Sequence, residues 1–261
     1  MLSNEIIDFE KLEKIGQSHS DAYKTALPYP HFVGDDIFKE EVLDTILDEF
    51  EIAQHNFFEF DSKYEKKLQM NKEEHFGPMT LNFFQQLNSS RFLKFLESLT
   101  GIDCLIPDPH LSGGGLHKIP PGGKLGIHVD FNQNRQLQLF RRVNVLVYLN
   151  KDWQEEYGGH FELWGDRNGK DKKRLLPIFN RMAIFTTTRS SFHGHPEPLT
   201  CPEDRSRKSL AFYYYTSVDR GEQSSVEHST IFLDSKGKEE QMGTIHPIRG
   251  NVRKIKKMLN L

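Results

Sequence analysis

The chain has 261 residues, 36% of them hydrophobic and 27% charged, with a formal net charge of −3 at pH 7. This is the make-up of one large globular domain, or one domain with an elaborated N-terminus, and so neutral a balance excludes a chain-wide surface for nucleic acid or membrane. Only Cys104 and Cys201 occur, far apart, which argues against a disulfide framework or thiolate zinc site and fits a reducing cytoplasm.

The N-terminal stretch MLSNEIIDFEKLEKIG carries acids early and lacks a long apolar core. No secretory leader is expected, and no apolar run approaches the roughly 20 residues a membrane helix needs. The first hundred residues have helical texture. In DDIFKEEVLDTILDEFEIA, residues Ile37, Phe38, Val42, Leu43, Ile46, Leu47 and Phe50 make a helical stripe, with Asp35 or Asp36 as N-cap. Residues 62–76, SKYEKKLQMNKEEHF, read as a solvated face or loop. Residues 80–100 predict two helices divided at Ser89 or Ser90 and stopped by Gly101.

Past residue 103 the texture changes to short strands cut by SGGG, PPGG and YGG. The candidates are 103–107, 115–119, 124–131, 142–149, 160–164, 174–178, 181–187 and 207–216. This predicts a mainly β fold with α: a barrel or jelly roll braced by N-terminal helices. The expected organisation is a helical segment over 1–102, a β core over 103–217 and an extension over 218–261, integrated as one domain. The extension ends in IRGNVRKIKKMLNL, which reads as a short basic helix packed down through Val252, Ile255, Met258 and Leu259.

The chemistry starts at KLGIHVDF. Leu125, Ile127, Val129 and Phe131 share one face of an extended chain, while Gly126, His128 and Asp130 share the other. A solvated outer face would account for that pair alone. However, RSSFHGHPEPL supplies His193 and His195 downstream. One more imidazole beside His128 and Asp130 gives two nitrogens and one carboxylate with coordination positions left open, which suits non-haem Fe(II). In RKSLAFYYYT, Arg207, Ser209 and Ala211 share a face, and a guanidinium beside a hydroxyl is a receptor for a carboxylate. A surface salt bridge is its plainer role. In RRVNVLVYLNKDW, alternation puts Arg142, Asn144, Leu146 and Tyr148 on one face, so Tyr148 serves the same carboxylate or packs in the core.

In this order and spacing, His128-x-Asp130, Tyr148 to Trp153, Gly158-Gly159, Phe192-His193 and Arg207-x-Ser209 resemble the iron- and 2-oxoglutarate-dependent dioxygenases, the prolyl 4-hydroxylase-like branch most closely. PYPHFVGDDIF near residue 30 resembles the opening segment of that branch. The resemblance implies a double-stranded β-helix (jelly roll, cupin-like) core over 103–217. It implies Fe(II) on His128, Asp130 and His193 as catalytic residues. It also implies 2-oxoglutarate held by Arg207 and Ser209 with help from Tyr148, O2 as second co-substrate and ascorbate as an accessory reductant. His193 is preferred to His195 as ligand because it directly follows Phe192. Asp130 fills the position that a small residue holds in related halogenases, so hydroxylation is expected.

Residues 130–141 read as a lid after the ligand strand, with Phe131, Asn132, Arg135 and Gln138 as substrate candidates beside Trp153, Trp164 and His195. The expected substrate is a protein or peptide, as in the branch resembled. The same chemistry on a free amino acid or small metabolite is the alternative, and a non-catalytic metal-binding β-barrel or sensor is the reading of another class. No nucleic-acid or membrane partner is expected, and the sequence sets neither the substrate nor the oligomeric state.

Overall fold

The computed structural model describes residues 6–219 and 227–241. The basic helix expected near the C-terminus lies outside them. Among the described residues are the helices α1 (Phe9–Thr25), α2 (Glu40–Ile52), α3 (Pro78–Leu87) and α4 (Ser90–Thr100). The division of the last pair follows from capping. The Ser89 hydroxyl accepts the Phe92 N–H, and Gly101 ends the helix at φ 73°, where a side chain would be strained. α2 starts later than its apolar stripe suggests. Asp35 is taken up in a two-pronged ion pair with Arg181 at 2.6 and 2.7 Å, and Asp36 has φ 53°. The helix therefore begins after Lys39 without a side-chain cap.

The strands come in chain order as β1 (His31–Gly34), β2 (Phe58–Asp61), β3 (Glu65–Met70), β4 (Ile106–Pro107) and β5 (Gly115–Ile119). Then follow β6 (Lys124–Val129), β7 (Gln133–Asn134), β8 (Leu139–Tyr148), β9 (Phe161–Trp164) and β10 (Lys172–Leu175). The last are β11 (Met182–Thr186), β12 (Phe192–His195), β13 (Arg207–Thr216), β14 (Ile231–Leu233) and β15 (Glu239–Gln241). All pairings are antiparallel along one curled sheet, β1-β11-β8-β13-β5-β3-β6-β12-β9-β10, with β14 alongside β6. Its two halves face each other: the Phe185 ring on β11 lies 4.7 Å from the His193 ring on β12.

The helices cover the outer face of the first half. Phe84 packs against Phe212 with ring centroids 4.3 Å apart, and the Tyr214 hydroxyl donates to the Leu87 carbonyl at 3.0 Å. Val143, Val145, Val147, Leu210, Phe212 and Tyr214 enter this helix-facing core, so their in-between neighbours turn inward.

Two stretches differ from the sequence reading. Residues 65–70 are not a solvated loop. They form β3, with Glu65, Gln69 and Met70 buried, bridging β5 and β6. The charge of this segment hid it, because its polar side chains face an internal cavity rather than bulk water. The second difference is in β8. Opposite it, Tyr214 pairs with Val143 and Tyr215 with Arg141, so Arg142 is an extra residue in the strand. That bulge re-aims the strand's start, and Arg141 rather than Arg142 joins Asn144 on the inner face.

Candidate metal centre and its cavity

β6 and β12 lie side by side with His128 directly opposite His193. Asp130, just past β6, completes the group, and ligand atoms from all three lie within 4.8 Å of one another. The His128 Nδ1 sits 2.8 Å from the Gly126 carbonyl, and the His193 Nδ1 sits 2.9 Å from the Ser191 carbonyl. A carbonyl only accepts, so both Nδ1 atoms carry a proton, and it is the Nε2 atoms that face the Asp130 carboxylate. Those Nε2 atoms lie 3.6 and 3.3 Å from the Asp130 carboxylate. Electron-pair donors facing one point repel each other unless a cation sits among them, and imidazole with carboxylate suits a divalent transition metal.

Asp130 is oriented from behind. Asn144 Nδ2 donates to its Oδ2 at 2.8 Å, Arg141 Nη2 approaches at 3.0 Å, and Arg141 Nε donates to Asn144 Oδ1 at 2.9 Å. Arg141 itself is wedged under Tyr213, with its guanidinium carbon 3.4 Å from the ring centroid. Burial opposes ionisation of Asp130, but Arg141, His193 and His128 outweigh it and hold the carboxyl well below its usual range. Sequence reasoning missed Arg141 because strict alternation assigned the inner face to Arg142. A bulge leaves no pattern to read.

The carboxylate receptor lies on β13. Ser209 pairs across the ladder with Tyr148 on one side and His117 on the other, and all three turn inward. Arg207 Nε donates to the Gly159 carbonyl at 2.8 Å, and its Nη2 donates to the Tyr148 hydroxyl at 3.4 Å. Arg207 is buried, yet among the described residues no carboxylate pairs with it. Burial lowers its pKa, partly offset by Tyr148, and burial pushes the Tyr148 phenol up to about 12 despite Arg207. Such a buried cation calls for an anion.

His128, Asp130, His193, His195, Arg207 and Ser209 all line one cavity of about 880 Å³. Tyr148 is fully buried behind Arg207 and steadies it rather than forming the wall. Of the substrate candidates, Phe131, Arg135 and His195 line the cavity, Arg135 at the rim in an ion pair with Glu227. Four others do not. Asn132 is buried and exchanges hydrogen bonds with the His228 backbone, so it pins the segment before β14. Gln138 is an exposed turn residue at φ 56° whose amide donates to the Arg135 carbonyl. Trp153 packs with Ile119, Leu199 and Cys201 below the cavity, its indole N–H on the Gly158 carbonyl. Trp164 likewise packs on the outer cluster around Phe192, not the cavity. Lys67 and Gln69 of β3, with His117 and Tyr213, supply wall that the sequence reading left out.

Comparison with known proteins agrees with this geometry. Residues 114–215 match the model of the 2OG-Fe(II) oxygenase superfamily. A 79-residue stretch, 29% of the chain, is 32% identical to mouse prolyl 3-hydroxylase OGFOD1, of whose length it spans 14%. A Trichoplax adhaerens prolyl hydroxylase, solved with a hypoxia-inducible-factor peptide fragment, superposes with TM-score 0.57 at 18% identity over 79% of this chain and 91% of that one. HygX from Streptomyces hygroscopicus, solved with nickel, 2-oxoglutarate and hygromycin B, gives 0.54 at 12% identity over 77% and 87%. The curled sheet thus has the double-stranded β-helix fold of these structures, and the match to the 2OG-Fe(II) oxygenase superfamily, over residues 114–215, spans the whole triad.

Proposed function

We propose that the protein is an Fe(II)- and 2-oxoglutarate-dependent dioxygenase that hydroxylates a C–H bond, acting like a prolyl hydroxylase on a protein or peptide. The observation that carries this reading is the pairing of two unmet demands in one cavity. Two imidazoles and a carboxylate converge on one point, and among the described residues the buried Arg207 guanidinium pairs with no carboxylate. A ferrous ion meets the first and a 2-oxo diacid the second.

Iron, 2-oxoglutarate and O2 together supply an oxidative decarboxylation to succinate coupled to insertion of oxygen into a C–H bond, with ascorbate as accessory reductant. The chain's own residues do the positioning. His128, Asp130 and His193 would hold the metal. Asn144 and Arg141 keep the Asp130 carboxylate turned to it. Arg207 and Ser209 receive the far carboxylate while Tyr148 holds the guanidinium in place. Phe131 and Arg135 lie on the route of a substrate entering over the lid. A cytoplasmic setting accords with two free, separate cysteines, Cys104 and Cys201.

The peptide substrate follows the mouse prolyl 3-hydroxylase and the peptide-bound relative. A second reading, a polar small molecule, is favoured by the walling-in of the cavity by β3 and by the amide side chains of Gln69, Asn71, Gln133 and Gln136 around it. HygX, with its bound hygromycin B, accords with that second reading. Succinate release by the iron-loaded protein separates the two. Stimulation by proline-containing peptides and not by free amino acids or glycosides supports the first. The reverse supports the second, and no succinate with any of them contradicts both.

A further inference from the structure

His195 is unused by the site as described. It lines the same cavity as the triad but does not belong to the converging ligand group. Its side chain is 3% exposed, and among the described residues neither Nδ1 nor Nε2 has a hydrogen-bond partner. Folded proteins rarely leave both nitrogens of a buried imidazole unmet unless water or a ligand meets them.

Its placement follows from the backbone. The register of β12 against β6 slips after His193, which faces His128, so that His195 faces Leu125. Gly194 permits the slip by lying against the Gly126 and Leu125 carbonyls, where a Cβ would come within 2.6 and 2.8 Å. His195 thereby stays on the cavity side but leaves the metal group. Arg207 and Lys67 line the same cavity and are the cations that bear on it.

Arg207 has already committed part of its guanidinium. Its Nε is committed to Gly159 and one Nη leans on Tyr148. A carboxylate has about four lone-pair sites on two oxygens, and a planar guanidinium edge meets only two of them, so the receptor has room for donors besides Arg207 and the Ser209 hydroxyl. We infer that His195 is such a donor: its ring N–H hydrogen-bonds the distal carboxylate of bound 2-oxoglutarate, beside Arg207. This rests on the dioxygenase reading above and deepens it, making His195 a selector for a 2-oxo diacid of one length.

The test uses the full chain loaded with Fe(II) without oxygen, titrated with 2-oxoglutarate and, separately, with 2-oxovalerate, which has the same carbon chain but no distal carboxylate. Binding is followed by the visible charge-transfer band. His195→Phe keeps an aromatic ring without a donor, and His195→Gln keeps a donor. The expected result is 2-oxoglutarate binding weakened about 10- to 100-fold in His195→Phe and largely recovered in His195→Gln. Binding of 2-oxovalerate and of Fe(II) itself should change less than about 3-fold. Unchanged 2-oxoglutarate affinity in His195→Phe, equal losses for the two acids, or weakened Fe(II) binding would each overturn the inference. A wild-type protein with no band at all would overturn the dioxygenase reading together with it.

Discussion

Asp130 is the residue on which the site turns, and its neighbours show why a bare His-x-Asp was ambiguous. The polar face of KLGIHVDF is internal because Arg141, Asn144 and two histidines meet the carboxylate there. The alternation and the downstream histidines were visible in the sequence. The Arg141 contact depends on a bulge and was not. Asn144 bridges Arg141 and Asp130, so Asn144→Leu should weaken ferrous binding about 10- to 100-fold by calorimetry; unchanged affinity would show that it does not orient the ligand. The buried imidazoles carry a pH signature. Burial first, then neighbouring positive charge, lowers His193 and His195 from their ordinary 6.5. The unfolded chain therefore binds protons that the metal-free fold refuses, and stability is lost as pH falls below 6.5 through the depressed values. The melting temperature of the metal-free protein should fall between about pH 7.5 and 5.5, less steeply in His195→Gln. A flat profile would contradict this.

Helices α3 and α4 were legible because local chemistry defines them: a Ser89 cap, a left-handed Gly101 and a clean apolar stripe. The strand β3 was not, since beyond its local hairpin with β2 its place in the sheet depends on partners some 45 to 60 residues away in the chain, and its inward side chains are polar. Its fit against β5 depends on Gly115. This residue has φ 97°, and a Cβ there would lie 2.2 Å from the Met70 carbonyl oxygen. Gly115→Ala should accordingly cost about 1–3 kcal/mol in denaturant unfolding. It should also loosen the wall that carries Lys67 and Gln69. A variant as stable as wild type would mean that β3 is not held as described.

Across the molecule, the helices and the site occupy opposite faces of the same strands. β8 and β13 send Val145 and Phe212 outward to the helices, and Asn144, Ser209 and Arg207 inward to the cavity. Phe212 is 1% exposed, so Phe212→Ala should cost about 3–5 kcal/mol of stability in chemical denaturation. Ferrous affinity of the folded fraction should stay near wild type. A loss of affinity with no loss of stability would contradict that division of labour. The order of short motifs was enough to anticipate a jelly-roll core, because each motif sits on its own strand. How the N-terminal segment closes the sheet could not be read, because strand pairing is decided by tertiary contacts. The most direct measurement of the central claim is anaerobic addition of Fe(II) and 2-oxoglutarate to the purified chain. A weak visible charge-transfer band is predicted, absent in Asp130→Ala and much weakened in Arg207→Leu. No band in the wild type, or the same band in Asp130→Ala, would contradict it.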